Sequence, residues 1–303
     1  MLDVFCVGHA SYDITMAVPS HPKADEKIVA DAMQLAGGGP AANAAVCVAR
    51  LGGAAAFCGY LGNDVFGQAH VQELISEGVD ISSLKRGDLS TPISQILAKA
   101  DGCRSVVNYK ETDMIAALDL HTLAALLEQS KLMLFDGHEG QISVPLCDWA
   151  KEHGMITVLD AGSLHQGTAD LMMMVDYVLA SEKFARQWCE KNAVLDGSAQ
   201  SALQALSAHC DHVVITLGSD GLIWQRDGER GAMKSFDVDV LDSTGAGDAF
   251  HGAFALGLAR DMDWLDLLRF ASAAGALTCT RLGARCGLPD AAAVDCLLGL
   301  HDA

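Results

Sequence analysis

The feature that most restricts the fold of this 303-residue chain is an alternation in its second half. From residue 118 onward a helical pattern runs to 129, an apolar run covers 132–136, and a second helical pattern runs to 153. Apolar runs at 155–160 and 177–180 then flank a helical stretch at 166–174. Apolar runs of this length bounded by turn residues read as strands buried on both faces, and the helices between them supply the crossovers that parallel strands need. The expected fold is therefore α/β, a three-layer sandwich with a mostly parallel central sheet and helices on both faces. Further strands are expected at 3–8, 28–35, 54–62, 212–217, 222–225 and 233–241, and further helices at 64–78, 264–280 and 290–300.

One segment departs from this rhythm. Two alternating runs, 93–99 and 104–109, flank Asp101-Gly102, a strong short-range hairpin signal. With the strand at 28–35 they suggest a small sheet outside the main one. The organisation expected is one domain over 1–303, with a lid formed by inserted segments at about 13–35 and 91–110. A lid excludes water from reactive phosphates, and an exposed apolar sheet face invites a homodimer.

Charge narrows the partners. With 39 acidic against 20 basic residues and a formal charge of −19, the chain lacks the clustered Lys and Arg that nucleic acids or anionic membranes require. Phosphorylated ligands need local compensation in such a field. No stretch reaches transmembrane length and the first residues lack a signal-peptide pattern, so a cytoplasmic location is expected. The ten cysteines include no Cys-x-x-Cys pair and read as small buried hydrophobes.

Two glycine-rich stretches carry chemistry. Asp-Ser-Thr-Gly-Ala-Gly-Asp-Ala-Phe at 242–250 opens a helical pattern, where free N–H groups and the helix dipole favour an anion. Gly245, Ala246 and Gly247 leave room for a phosphate, and Asp248 beside it can accept a proton from an attacking hydroxyl. The competing reading is a capped helix behind a tight turn. Gly-Gly-Gly-Pro-Ala-Ala-Asn at 37–43 reads as a loop packed against a ligand, followed by a helix. The Asn43 amide can donate and accept toward sugar hydroxyls, or cap its own helix. Asp13 follows the first strand, on the side where parallel sheets bind ligands, and His138 and Glu139 follow another. The Gly218–Asp220 turn and Gly221 leave room for a nucleotide. Neither a Walker A sequence nor a Gly-x-Gly-x-x-Gly fingerprint occurs, which excludes P-loop and dinucleotide chemistry.

The two glycine-rich stretches, in this order, resemble the two signatures of the ribokinase-like carbohydrate kinases, the PfkB family. The resemblance covers the whole chain, and within it the Gly-Gly-Gly-Pro-Ala-Ala form and the ending Thr280-Arg-Leu-Gly-Ala-Arg285 look most like the branch that holds sulfofructose kinase. It implies an ATP-dependent kinase that transfers the γ-phosphate of MgATP to a primary hydroxyl of a free sugar, a ketose or furanose. By the same resemblance Asp248 is the base and Gly245, Ala246 and Gly247 form the anion hole. Asp13, Gly38, Gly39 and Asn43 hold sugar hydroxyls, while Thr216, Gly218 and Gly221 lie on the ATP side. Asp242 and Thr244 match part of a monovalent-cation loop, for which potassium is the candidate, completed by residues 283–287. Two positions depart from the family. Ser181-Glu182-Lys183-Phe184 replaces Asn-x-x-Glu, leaving Glu182 to serve magnesium through water. His138 stands where the branch would place an arginine, so Asn108, Arg104 and Lys27 are the remaining anion contacts near the lid. The alternatives are a nucleoside or sugar-phosphate kinase, or a non-catalytic sugar or nucleotide sensor.

Overall fold

The computed structural model describes residues 1–99, 103–111, 120–194 and 197–299. In chain order its strands are β1 (Leu2–Val7), β2 (Ser11–Ala17), β3 (Ala32–Gly38), β4 (Ala55–Cys58), β5 (Tyr60–Gly62), β6 (Lys85–Gly87), β7 (Ile93–Ala98), β8 (Arg104–Tyr109), β9 (Ser130–Phe135), β10 (Ile156–Ala161), β11 (Tyr177–Ser181), β12 (His212–Thr216), β13 (Leu222–Arg226) and β14 (Glu229–Met233). The helices are α1 (Pro40–Arg50), α2 (Val65–Ser76), α3 (Leu120–Leu127), α4 (Gly140–Glu152), α5 (Gln166–Met172), α6 (Glu182–Lys191), α7 (Ala199–Leu206), α8 (Ala246–Ala259), α9 (Trp264–Thr278), α10 (Ala284–Gly287) and α11 (Ala291–Leu298).

Eight strands form the central sheet in the order β14-β13-β12-β11-β10-β9-β1-β4. The six from β12 to β4 pair in parallel, and β13 and β14 add an antiparallel edge. Side chains alternate across this sheet, so each strand feeds two cores. Val4 and Cys6 of β1 join α1, α2, α8, α9 and α11 on one face. Phe5 and Val7 point the other way, into the core made with α3 to α7. This is the expected three-layer α/β sandwich.

A separate four-stranded sheet, ordered β3-β2-β7-β8, stands apart from the main one. The hairpin of 93–99 and 104–109 is present as β7 and β8, antiparallel to each other. Its expected turn at Asp101-Gly102 lies outside the described residues, as does the start of the helix expected from 118.

Three sequence expectations need correction. The strand expected at 28–35 is β3, shifted to Ala32–Gly38, because Gly37 and Gly38 pair with Tyr12 and Ser11 instead of forming a loop. The strand expected at 54–62 breaks at Gly59, where a Cβ would lie 2.5 Å from the Gly8 carbonyl oxygen; β4 stays in the main sheet and β5 pairs with β6. The strand expected at 233–241 is instead β14, and residues 234–240 carry no strand. Alternation at 236–241 marks a segment half-buried along the surface, with Phe236 against the core.

Half of the buried residues of helix α1 are alanine, and this sets the geometry of the site. Ala41, Ala42, Ala44 and Ala45 are buried, and a Cβ on Gly252 of α8 would lie 2.6 Å from the Ala44 carbonyl oxygen. Small residues at this crossing let the two backbones approach closely. The N-terminal turns of α1 and α8, one from each glycine-rich stretch, therefore face each other.

Candidate active site

The residue that opens the site is Gly245, the N-cap of α8. Its φ of +80° is a left-handed conformation, and a Cβ there would lie 2.5 Å from the Ala284 Cβ. Glycine alone fits both demands. The turn is braced by Asp242, whose Oδ1 accepts from the Thr244 amide at 2.9 Å and from Thr244 Oγ1 at 2.6 Å. Asp242 Oδ2 accepts from the Gly283 amide at 2.8 Å, so the loop at 242–245 and the turn into α10 are tied together. Asp242 is buried and is the countercharge that a cation between these loops would meet.

Asp248 lies in the first turn of α8. Its Oδ2 accepts from Asn43 Nδ2 at 2.7 Å, so neither residue caps its own helix and the capping readings fall away. Burial and the nearby Asp160 carboxylate raise the Asp248 pKa. Against the Asn43 bond and His251 on the other side, it is pushed up to about 6. His251, one turn along α8, sits 3.0 Å from Asp160. Burial opposes its charge, yet Asp160 and Asp248 hold its imidazole above its ordinary pKa.

Asp13 comes from β2, in a cross-strand row with Ala36, Ser94 and Asn108. It is buried, and Ser11 Oγ donates to its Oδ1 at 2.7 Å. Burial raises its pKa, resisted by Ser11, Ser94, Arg285 and His9. A Cβ on Gly38 would lie 2.1 Å from Asp13 Oδ2, so that glycine is what admits the carboxylate. Gly39 carries φ of +93° and passes close to the His9 carbonyl.

Sequence reasoning missed Asp136, at the carboxyl end of β9. It accepts from the amides of His9 at 2.7 Å, Ala41 at 3.1 Å and His138 at 2.9 Å. One buried carboxylate thereby holds three segments at the mouth of the site, including the first turn of α1. The positional rule that singled out Asp13, an acid just past a strand, also describes Asp136, while Asp160 is the penultimate residue of β10. His138 itself stacks on His165 at 4.7 Å and lies 5.4 Å from His9, ring centre to ring centre.

The small sheet is latched to this mouth. Lys110, just after β8, places Nζ 2.6 Å from Glu139 Oε1 and donates to the His138 carbonyl at 3.2 Å. Burial alone would raise the Glu139 pKa, but the bonds from His9 and Lys110 hold it below the usual carboxylate range. Arg104 of β8 donates to Ser243 Oγ at 2.5 Å, beside the glycine turn. Asn108 is exposed on the same strand, and Lys27 is exposed outside the strands.

The residues assigned to the nucleotide by the resemblance lie at the carboxyl ends of the paired strands β11 and β12. Gly218 and Gly221 have φ of +60° and +93°, and a Cβ on Gly221 would lie 2.0 Å from the Met233 carbonyl oxygen. Thr216 is half-buried at the strand end. Ser181 caps α6 through the Phe184 amide at 3.0 Å, Phe184 is fully buried, and Glu182 is exposed in the first turn. The position that carries the glutamate of Asn-x-x-Glu is thus part of the core here. Among the described residues no three His, Cys, Asp or Glu side chains converge on a metal position, and no helix is long and apolar enough to cross a membrane.

A family model described as pfkB family carbohydrate kinase matches residues 1–291. The chain belongs to this family. A ribokinase of Haemophilus influenzae is 28% identical over 300 residues, covering 93% of this chain and 94% of its own. A fructokinase of Solanum tuberosum is 32% identical over 273 residues, covering 83% of each. Among solved structures, the ribokinase of Arabidopsis thaliana complexed with ribose and ATP superposes with a TM-score of 0.81 at 25% identity, covering 97% of this chain and 98% of its own. The fold is thus ribokinase-like, and the chain is a carbohydrate kinase, a phosphotransferase with an alcohol acceptor.

Proposed function

We propose that this PfkB kinase transfers the γ-phosphate of ATP to a primary hydroxyl of a free sugar, a ketose or furanose, with Asp248 as general base. The observation that carries this reading is the pairing of Asn43 with Asp248 at 2.7 Å. A hydroxyl-reading amide and a proton acceptor thereby meet beside the N-terminus of α8. A pKa near 6 leaves Asp248 ionised at neutral pH yet basic enough to take a proton. Asp13 and Asn43 grip the acceptor, with Gly38 and Gly39 keeping the wall thin. The Gly245, Ala246 and Gly247 amides stabilise the transferring phosphoryl group. Thr216, Gly218 and Gly221 line the nucleotide side, in keeping with the ATP bound in the Arabidopsis ribokinase.

Magnesium, when bound, neutralises charge on the nucleotide phosphates. Exposed Glu182 at the head of α6 is the acid placed to assist it through water. A monovalent cation, potassium in this reading, fits the tied loops at Asp242, Thr244 and 283–287. The four-stranded sheet, built from about 13–35 and 91–110, acts as the lid of a single domain. Its outer face leaves Met33, Leu35, Val107 and Tyr109 exposed, and a second copy of the chain is the partner we assign to it.

The cations near the acceptor end favour a neutral sugar over an anionic one. Lys110 is neutralised by Glu139, Arg285 is enclosed by acids, and Arg104 stands at the phosphate turn. ADP release from MgATP against free ketoses, aldoses, nucleosides, sugar phosphates and sulfonated sugars tests this, with Asp248→Asn as control. Turnover on one free sugar, lost in the control, is the expected result. Turnover confined to a phosphorylated or sulfonated sugar overturns the neutral-acceptor reading, and a control that keeps its rate removes Asp248 as base.

A further inference from the structure

Arg285 is the largest fully buried side chain among the described residues, and nothing in the phosphoryl-transfer scheme above uses it. It lies in α10, whose backbone is held at fixed points. The Gly283 amide is bound to Asp242, and Arg50 Nη1 donates to the carbonyls of Arg285 at 2.9 Å and Leu288 at 2.8 Å. From that anchored turn the guanidinium reaches inward. Its Nε donates to Asn43 Oδ1 at 3.2 Å, its Nη2 faces His70 Nε2 at 3.2 Å, and its Nη1 lies 3.3 Å from Glu73. Burial and Arg285 together keep the His70 pKa well below its ordinary value, so that ring is a neutral acceptor.

We propose that Arg285 is a positioning residue for the base: by holding the carbonyl oxygen of the Asn43 amide, it turns the amide nitrogen toward Asp248. The chemistry of the three groups requires this order. A guanidinium only donates, an ionised carboxylate only accepts, and an amide has one end of each kind. With Arg285 at one end and Asp248 at the other, the amide has a single satisfied orientation. Without Arg285 it is free to flip and to present its oxygen to the carboxylate, which repels it.

The relay is also a path of charge. Glu73, Asp13 and Glu77 surround the guanidinium, and Arg285 in turn opposes the burial that raises the Asp13 pKa. One cation therefore serves both acceptor-gripping residues, Asp13 directly and Asn43 by a hydrogen bond. The groups facing Asp248 are Asn43 and Cys47 from α1, Asp160 from β10, Asp13 from β2 and His251 from its own helix. Of these, Asn43 is the one that Arg285 orients through a hydrogen bond.

The inference rests on the kinase reading, and the test separates the two. The kcat/KM for the acceptor is measured against pH for the unmodified protein, Arg285→Gln, Arg285→Lys, Asn43→Ala and the double variant Asn43→Ala with Arg285→Gln. Arg285→Gln is expected to lose about ten- to a hundred-fold in kcat, with KM for ATP unchanged. Its acid limb moves to higher pH, because Asp248 loses the bond that lowers its pKa. Asn43→Ala moves the limb the same way, and adding Arg285→Gln to it moves the limb no further. Should Arg285→Gln fail to fold, Arg285→Lys keeps the buried charge without the fork, and the same shift is expected. A limb that moves further in the double variant, a limb unmoved in Asn43→Ala, or an Arg285→Lys variant indistinguishable from the unmodified protein would each overturn the proposal. Turnover that persists in Asp248→Asn strikes the kinase reading instead.

Discussion

Replacing Asp248 with Asn should stabilise this protein while it stops the reaction. The carboxyl is held at a pKa of about 6 against an ordinary 3.8, mainly by burial and the Asp160 charge. A group that binds its proton more tightly when folded lowers stability once it is ionised. The cost is fully present above the folded pKa and absent below the unfolded one. About two pKa units correspond to about 3 kcal/mol, and because Asp248 is half-buried we discount this for solvent screening to about 1–3 kcal/mol. The Asn side chain keeps an oxygen for Asn43 Nδ2, so that bond survives. At about 2 °C per kcal/mol for a chain of this size, the variant should melt about 2–6 °C higher at pH 8. The gain should shrink between pH 6 and pH 4 and be gone below that. Turnover should fall by about 10²–10⁴. Thermal unfolding from pH 4 to pH 8, with ADP release at pH 7.5, reads both quantities. A variant that melts lower at pH 8, or whose difference from the unmodified protein is the same at every pH, refutes the electrostatic reasoning whatever happens to the rate.

Four further outcomes follow from the same geometry. Gly38→Ala would push a methyl group into Asp13 Oδ2, 2.1 Å from the Cβ position; steady-state kinetics should show the acceptor KM raised about tenfold or more with ATP KM unchanged. Asp136→Ala strands the amides of His9, Ala41 and His138, and urea unfolding should report a loss of about 2–4 kcal/mol. Lys110→Met removes the latch to Glu139 and should raise the acceptor KM by about three- to tenfold, an effect that high salt reproduces in the unmodified protein. Leu35→Glu combined with Val107→Glu places charge on the outer face of the small sheet, and light scattering on the eluting protein should show a dimer becoming a single chain.

Most of the fold was legible because the core strands are short apolar runs bounded by turn residues with helical patterns between them, whereas the assignment of Val4 and Phe5 to opposite cores comes from the structure. The site was legible by position, since Asp13, Asn43 and Asp248 each follow a strand end or a glycine turn. What escaped was whatever depends on a distant neighbour. Gly37 and Gly38 looked like loop because glycine is a poor strand former. They extend β3 by pairing with Tyr12 and Ser11, at positions where His70 and Asp13 leave no room for a Cβ. Gly59 splits one apolar run into two sheets for a similar steric reason. Asp136 shares its position after a strand with Asp13, and Arg285 ends a stretch that carries the family resemblance, yet neither pattern says that the side chain is buried in the site. An acid after an apolar strand and an arginine in a glycine-rich turn are ordinary surface features, and only the approach of α1, β9 and α10 makes them interior.

The bond between Asn43 and Asp248 spans 205 residues of sequence, and that between Asn43 and Arg285 spans 242. During synthesis, therefore, the amide and the alanine face of α1 emerge long before the helix that covers them. The first two-thirds of the chain can lay down β1, β4 and β9 to β11, but Asn43 stays without its carboxylate partner until α8 is made and without its guanidinium partner until α10 follows. Contacts this remote close slowly, since long loops are ordered before any interaction rewards them. A polypeptide released before residue 246 therefore carries α1 without the helix that packs on it, and one released before residue 285 lacks the guanidinium that holds the Asn43 amide.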